Sequence, residues 1–76
     1  MSDHEAYNRR RALKERIIDA LRLIDGFTTR DLVQLCVCTL VEAETALNEL
    51  KTAGTVVEEY EPMHGYSWRL IRETAA

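Results

Sequence analysis

Two cysteines one residue apart, Cys36 and Cys38, and two histidines, His4 and His64, are the residues of this 76-residue chain whose chemistry stands out first. Thiolates and imidazoles are zinc ligands, so these four pose the question of a metal site. The spacing argues against one, because Cys-Val-Cys is not the paired Cys-x-x-Cys of a structural zinc site. The competing description is that both cysteines are small buried apolar residues. Two cysteines so close together are also too few to staple a secreted scaffold, which points to a reducing compartment. Catalytic patterns are missing: the sequence has no evident Ser-His-Asp or Cys-His arrangement and no Gly-rich phosphate loop. The carboxylates read as surface glutamates, and a chain of this length leaves little room for a pocket. No enzymatic activity, metal or cofactor is expected.

The charge is −3 in total and uneven along the chain. Residues 1–25 carry +1, with Arg9, Arg10, Arg11, Lys14, Arg16 and Arg22 against five acids, and residues 66–76 carry +1. Residues 26–65 carry −5, from Asp31, Glu42, Glu44, Glu49, Glu58, Glu59 and Glu61 against Arg30 and Lys51. Any partner must accommodate that acidic middle. Low-complexity tracts and internal repeats are absent, and the polar N-terminus has no apolar stretch of the kind a secretory signal needs. No apolar run approaches the roughly 18 residues of a membrane span, so a soluble, cytoplasmic protein with no membrane association is expected.

The elements that would position these residues are legible from periodicity. Leu13, Ile17, Ala20, Leu21 and Ile24 recur at three- and four-residue steps, which predicts a helix over 8–24. Asp25-Gly26 ends it. Thr28-Thr29-Arg30-Asp31 is a helix-start pattern, and Leu32, Leu35 and Cys36 give the second helix its inward face. Thr39-Leu40-Val41-Glu42 is a capping box for a third helix that runs to about Thr52 with Ala43, Leu47 and Leu50 inward, ended by Ala53-Gly54. The period then changes to two: residues 55–60 and 66–71 read as a hairpin turning at Glu61-Pro62-Met63-His64-Gly65. The expected core is Leu13, Ile17, Leu21, Ile24, Phe27, Leu32, Leu35, Cys36, Cys38, Ala43, Leu47, Leu50, Trp68 and Leu70, with Trp68 tying the hairpin to the helices. The fold class is therefore mainly α with a small β-hairpin: three helices and a two-stranded wing at 9–71, a flexible arm at 1–8 and a frayed tail at 72–76.

Phe27-Thr28-Thr29-Arg30-Asp31-Leu32, followed by Ala43, Leu47, Leu50, Ala53 and Gly54, resembles the winged helix-turn-helix domains of small prokaryotic and phage regulators. The resemblance covers roughly residues 9–71. It places Cys36 and Cys38 on two buried positions either side of the turn, which favours the apolar reading of both. It departs from the pattern at Val37, where the family often has glycine or asparagine. A β-branched residue at positive φ is strained, which predicts a longer or differently shaped turn.

The resemblance implies double-stranded DNA as the partner, with the third helix in the major groove. Its outward residues are Val41, Glu42, Glu44, Thr45, Asn48 and Glu49, with Lys51 near the end and Thr39 at the cap. Asn48 can pair with adenine, Thr45 can reach a base or phosphate, a glutamate can accept from cytosine, and Val41 can touch a thymine methyl. No arginine on this helix reaches guanine. Phosphate contacts are expected from Arg9, Arg10 and Arg11 as an arm, from Thr29 and Arg30 at the start of the second helix, and from His64 and Arg69 on the wing. The function so implied is sequence-specific duplex binding by a small transcription regulator or mobile-element accessory protein. The rival is a winged-helix protein-interaction module, an adaptor or inhibitor, that docks through its acidic third helix and wing, with Leu40, Val41 and Glu44 as contacts. A homodimer is left open.

Overall fold

The computed structural model describes residues 3–71, in the order α1 (Asp3–Leu23), α2 (Thr29–Cys36), α3 (Leu40–Thr52), β1 (Val56–Glu61) and β2 (Gly65–Leu70). The tail at 72–76 and the side chain of His4 lie outside the described residues. Leu13, Ile17 and Leu21, four residues apart, form the buried line of α1. The helix begins at Asp3, five residues before its apolar stripe suggests. Residues 3–8, expected as part of a flexible arm, are helical. A helix already nucleated extends over residues of high propensity such as Glu5 and Ala6 at little cost, without needing an apolar face.

Both shorter helices start on reciprocal capping boxes. Asp31 N–H donates to Thr28 Oγ1 at 3.1 Å while Thr28 N–H donates to Asp31 Oδ2 at 3.1 Å. Glu42 N–H donates to Thr39 Oγ1 at 3.1 Å while Thr39 N–H donates to Glu42 Oε1 at 2.9 Å. Each box satisfies backbone donors that a helix leaves orphaned at its start. Because Glu42 accepts that backbone N–H and the Thr39 hydroxyl as well, its carboxyl is held below the usual glutamate value, with the charge of Arg9 adding to the effect.

Between the boxes the chain reverses at Val37, which adopts φ 51° and ψ 63° and lies 86% exposed. The longer or differently shaped turn expected here is not formed; valine takes the left-handed conformation itself. The reason lies on either side. Cys36 is buried and Cys38 packs partly buried against the same core, so both neighbours must turn inward within one residue. Capping at Thr39 then fixes the exit direction. The left-handed backbone costs a β-branched residue about 1–2 kcal/mol, which the flanking contacts offset.

The wing is a two-stranded antiparallel hairpin with Val56 opposite Leu70, Tyr60 opposite Tyr66 and Glu61 opposite Gly65. Gly65 sits at φ +77°, a left-handed position that closes the three-residue turn Pro62-Met63-His64, where His64 N–H donates to Glu61 O at 3.0 Å. Trp68 joins hairpin to helices. Its N–H donates to Phe27 O at 2.8 Å, its carbonyl accepts from Gly26 N–H at 3.0 Å, and its indole Nε1 donates to Thr29 Oγ1 at 2.8 Å. The ring itself is buried with Leu13, Ile17, Leu21, Leu32, Leu47 and Leu50 in one core.

Two residues expected in that core are on the surface. Ile24 is 57% exposed because α1 stops at Leu23 and the chain turns away, and Leu35 is 56% exposed because the eight-residue α2 packs along a single line through Leu32 and Cys36. Phe27 and Cys38 are half-buried at the edge. Ala46 and Val56, not expected there, are buried instead.

Two measurements check this account. Val37→Asn, which tolerates the left-handed region far better, should raise stability by about 1 kcal/mol and Tm by roughly 4–8 °C; an unchanged or lower Tm would show the turn is not strained. The lowered carboxyl of Glu42 contributes stability that is present above the ordinary glutamate range and lost as pH falls through its folded value. Tm should therefore drop on acidification below about pH 4.5, and Glu42→Gln should make that drop shallower, with equal slopes counting against the cap.

Candidate nucleic-acid interface

Capping at Thr39 starts α3 so that Ala43, Ala46, Leu47 and Leu50 face the core. The opposite side is then a stripe at helical spacing: Val41, Glu44, Thr45, Asn48 and Thr52, all exposed. Val41 is 72% exposed at the helix's first turn. Within the described residues the side chains of Glu44, Thr45 and Asn48 make no hydrogen bond or ion pair. Leu40 and Val37 are exposed beside Val41, so the corner where α2 meets α3 is apolar.

The basic side of α1 lies alongside this stripe. A cleft of about 250 Å³ is lined by Arg9, Arg10, Leu13, Val41, Glu42 and Thr45. An adjoining open groove is lined by Lys14, Thr45, Asn48, Glu49, Thr52 and Ala53. Arg10 Nη1 reaches Glu49 Oε2 at 3.3 Å, and Lys14 Nζ contacts the other oxygen of the same carboxylate. The Lys14 hydrogen bond first, then the charges of Lys14 and Arg10, hold the Glu49 carboxyl below its usual value. Glu42 is occupied by its cap and faces the charge of Arg9. Two of the α3 acids that would oppose a polyanion are thus balanced within the fold. Three cations, Arg9, Arg10 and Lys14, stand against two carboxylates along this seam.

The other residues expected at an interface are distributed less favourably. Arg9, Arg10 and Arg11 cannot act as one flexible arm, because on a helix successive side chains point about 100° apart; Arg11 faces away and pairs with Glu15 at 3.8 Å. Thr39 is spent on its cap, and Thr29 accepts from the Trp68 indole. Lys51 lies 3.7 Å from Glu58, tying the end of α3 to β1. Arg69 is gripped by Glu59 through Nε–Oε1 at 2.9 Å and Nη2–Oε2 at 3.1 Å, which lowers the Glu59 carboxyl and raises the guanidinium. Arg30 stands exposed in the first turn of α2 with no partner among the described residues, and His64 is exposed at the wing tip.

Lys14 was not among the residues expected at the site. The signal was its position: four residues after Arg10, it shares that flank of α1 and lies next to the buried Leu13. Tyr60 and Tyr66 were also passed over; their rings pair across the wing at 5.0 Å between centroids and stay exposed.

The cysteines serve packing. Burial pushes both thiols up from their usual value; the Cys38 charge adds to this at Cys36 and the Glu42 charge at Cys38, against a smaller lowering by Arg16. Among the described residues no three His, Cys, Asp or Glu side chains cluster as metal ligands, and no helix is long and apolar enough to cross a membrane.

No protein-family model and no curated protein matches the sequence. Solved structures do match. The apo Zα domain of zebrafish PKZ superposes with a TM-score of 0.77 at 21% identity, over 83% of this chain and 97% of that one. A MarR-family transcriptional regulator from Silicibacter pomeroyi superposes with a TM-score of 0.71 at 24% identity, over 78% of this chain but only 40% of that one. Likeness at these identities speaks for architecture. Three helices, the reversal at Val37 and the two-stranded hairpin anchored by Trp68 make this a winged-helix fold.

Proposed function

We propose that the domain binds double-stranded DNA with sequence selectivity, as a small transcription regulator or mobile-element accessory protein, by laying α3 in the major groove. The observation that carries this reading is the unpartnered stripe of Val41, Glu44, Thr45 and Asn48 flanked by Arg9, Arg10 and Lys14. A readout helix needs polar and methyl groups free to meet base edges, with cations beside them for the phosphates. In this reading Arg9 and Arg30, which make no ion pair among the described residues, are the free phosphate anchors, Arg10 and Lys14 reach phosphates by giving up Glu49, and His64 reaches from the wing. Arg11, Lys51 and Arg69 would first have to leave Glu15, Glu58 and Glu59, and Thr29 and Thr39 contribute through the backbone they position. The architecture of a transcriptional regulator among the structural neighbours supports the same class.

A second reading rests on the apolar corner of Val37, Leu40 and Val41, which with Glu44 has the composition of a protein-docking surface. Charge reversal separates the two. Glu44→Lys should tighten binding to duplexes of any sequence and steepen the dependence of log K on log salt by about one unit. Arg30→Gln should weaken all duplexes alike and flatten that slope by a similar amount, whereas Asn48→Ala should cost roughly 1–3 kcal/mol at one base pair alone. If α3 instead faces a protein, Glu44→Lys leaves duplex binding unchanged and damages partner capture. Absence of duplex binding by the wild type at low salt, across long duplexes of varied sequence, would sink the DNA reading.

A further inference from the structure

The chemistry of the α3 stripe is narrower than that of a general base reader. Its free groups are the methyls of Val41, the carboxylate of Glu44, the hydroxyl and methyl of Thr45, and the amide of Asn48. Guanine offers the major groove two acceptors, N7 and O6, which want a bidentate cation. None is free on this helix: its single cation, Lys51, is held at Glu58. Glu44, an acceptor alone, would repel those same guanine atoms. Adenine and thymine present the opposite match. An amide can bridge adenine N6 and N7, and thymine carries a C5 methyl that only an apolar group complements; the Glu44 carboxylate accepts from an amino group, cytosine N4 as well as adenine N6, and so leaves the choice between the pairs to Val41, Thr45 and Asn48.

The apolar surface lies where such a methyl would be met. Val41 is in the first turn of α3, the end of a readout helix that reaches furthest into the groove, and it is 72% exposed on the wall of the cleft it shares with Arg9, Arg10 and Thr45. Thr45, one turn on, extends the same line toward Asn48. A valine left in water at that spot contributes nothing to the core, which contains Ala43, Ala46 and Leu47 from the same helix.

Resting on the duplex reading above, we infer that the target is A·T-rich in its major groove and is recognised through thymine methyl groups, contacted by Val41 and the methyl of Thr45, with Asn48 on an adjacent adenine. The contact is uncharged, so it adds selectivity without adding to the salt dependence. Withdrawing one buried methyl corresponds to about a fourfold loss of affinity.

The test is binding-site selection from a randomised duplex pool by the full chain, followed by replacement of each thymine in the selected duplex with deoxyuridine. Uracil differs from thymine only in the major-groove methyl, so pairing and the minor groove stay as they were. The selected site should be A·T-rich, and uracil at one or two positions should weaken binding about fourfold each with the salt slope unchanged. Val41→Ala should abolish the thymine–uracil difference at one of those positions, and Thr45→Ser at the other, both at wild-type Tm. A selected site dominated by G·C pairs, equal binding of thymine and uracil duplexes, or an unaltered difference in Val41→Ala would overturn the inference while leaving duplex binding intact. A pool from which the wild type enriches nothing would overturn the duplex reading and this inference together.

Discussion

The reversal at Val37 decides where α3 points, and almost everything at the surface depends on that direction. Two side chains separated by one residue, Cys36 and Cys38, both turn toward the core, so the backbone between them must swing through the left-handed region even though valine resists it. The capping box at Thr39 then starts the next helix at once. Were the turn relaxed by an extra residue, α3 would leave α2 in a different direction, and the stripe from Val41 to Thr52 would lose its place beside Arg9, Arg10 and Lys14. Strain at this residue is the counterpart of a well-defined interface.

That placement also answers the electrostatic difficulty posed by an acidic third helix. Formal charge along the sequence sets Glu42 and Glu49 against any polyanion. In three dimensions Glu49 sits between Arg10 and Lys14, and Glu42 is bound to its own cap with Arg9 nearby. Such exposed pairs add little to stability. Their larger effect is on the field outside the protein, which along the α1–α3 seam is close to neutral with a small positive excess. The wing divides in a similar way. Alternation along the strands puts Arg69 and Glu59 on one face, closed on each other, and Trp68, Tyr66 and Tyr60 on the other, running from the core outward.

Local signals were the ones the sequence made legible. Both capping boxes, the helix ends at Gly26 and Gly54 and the change of period after Gly54 depend on residues within four positions of each other, and each appears where its pattern stands. The start of α1 did not, because residues 3–8 are helical by propensity and carry no apolar rhythm to betray it. Ile24 and Leu35 had the right spacing but fell where a helix ended or where a short helix had only one line of contact. At the site the limit was distance along the chain. Arg10 meets Glu49 and the Trp68 indole meets Thr29 across 39 residues each, so nothing local could show that a threonine and an arginine chosen as ligand groups already had partners. The three arginines in a row looked like a unit for the opposite reason: adjacency in sequence is divergence on a helix.

With most cations already paired, the interface has few charges to offer phosphates, and each counterion released on binding contributes affinity for every sequence equally. In the proposed duplex-binding role a domain built this way would hold non-specific DNA weakly, and its discrimination would have to come from contacts that salt does not screen. Glu44 sharpens the point. It is a carboxylate on the stripe with no partner among the described residues, so it weakens every encounter with a duplex except one that places an amino group before it. Repulsion from the wrong base edge then does as much for selectivity as attraction to the right one, and the cost is absorbed in absolute affinity. In that proposed role, near-neutrality of the seam and an unpaired acid on the exposed stripe of α3 would be two parts of a single arrangement, in which weak general attachment is the condition for telling sequences apart.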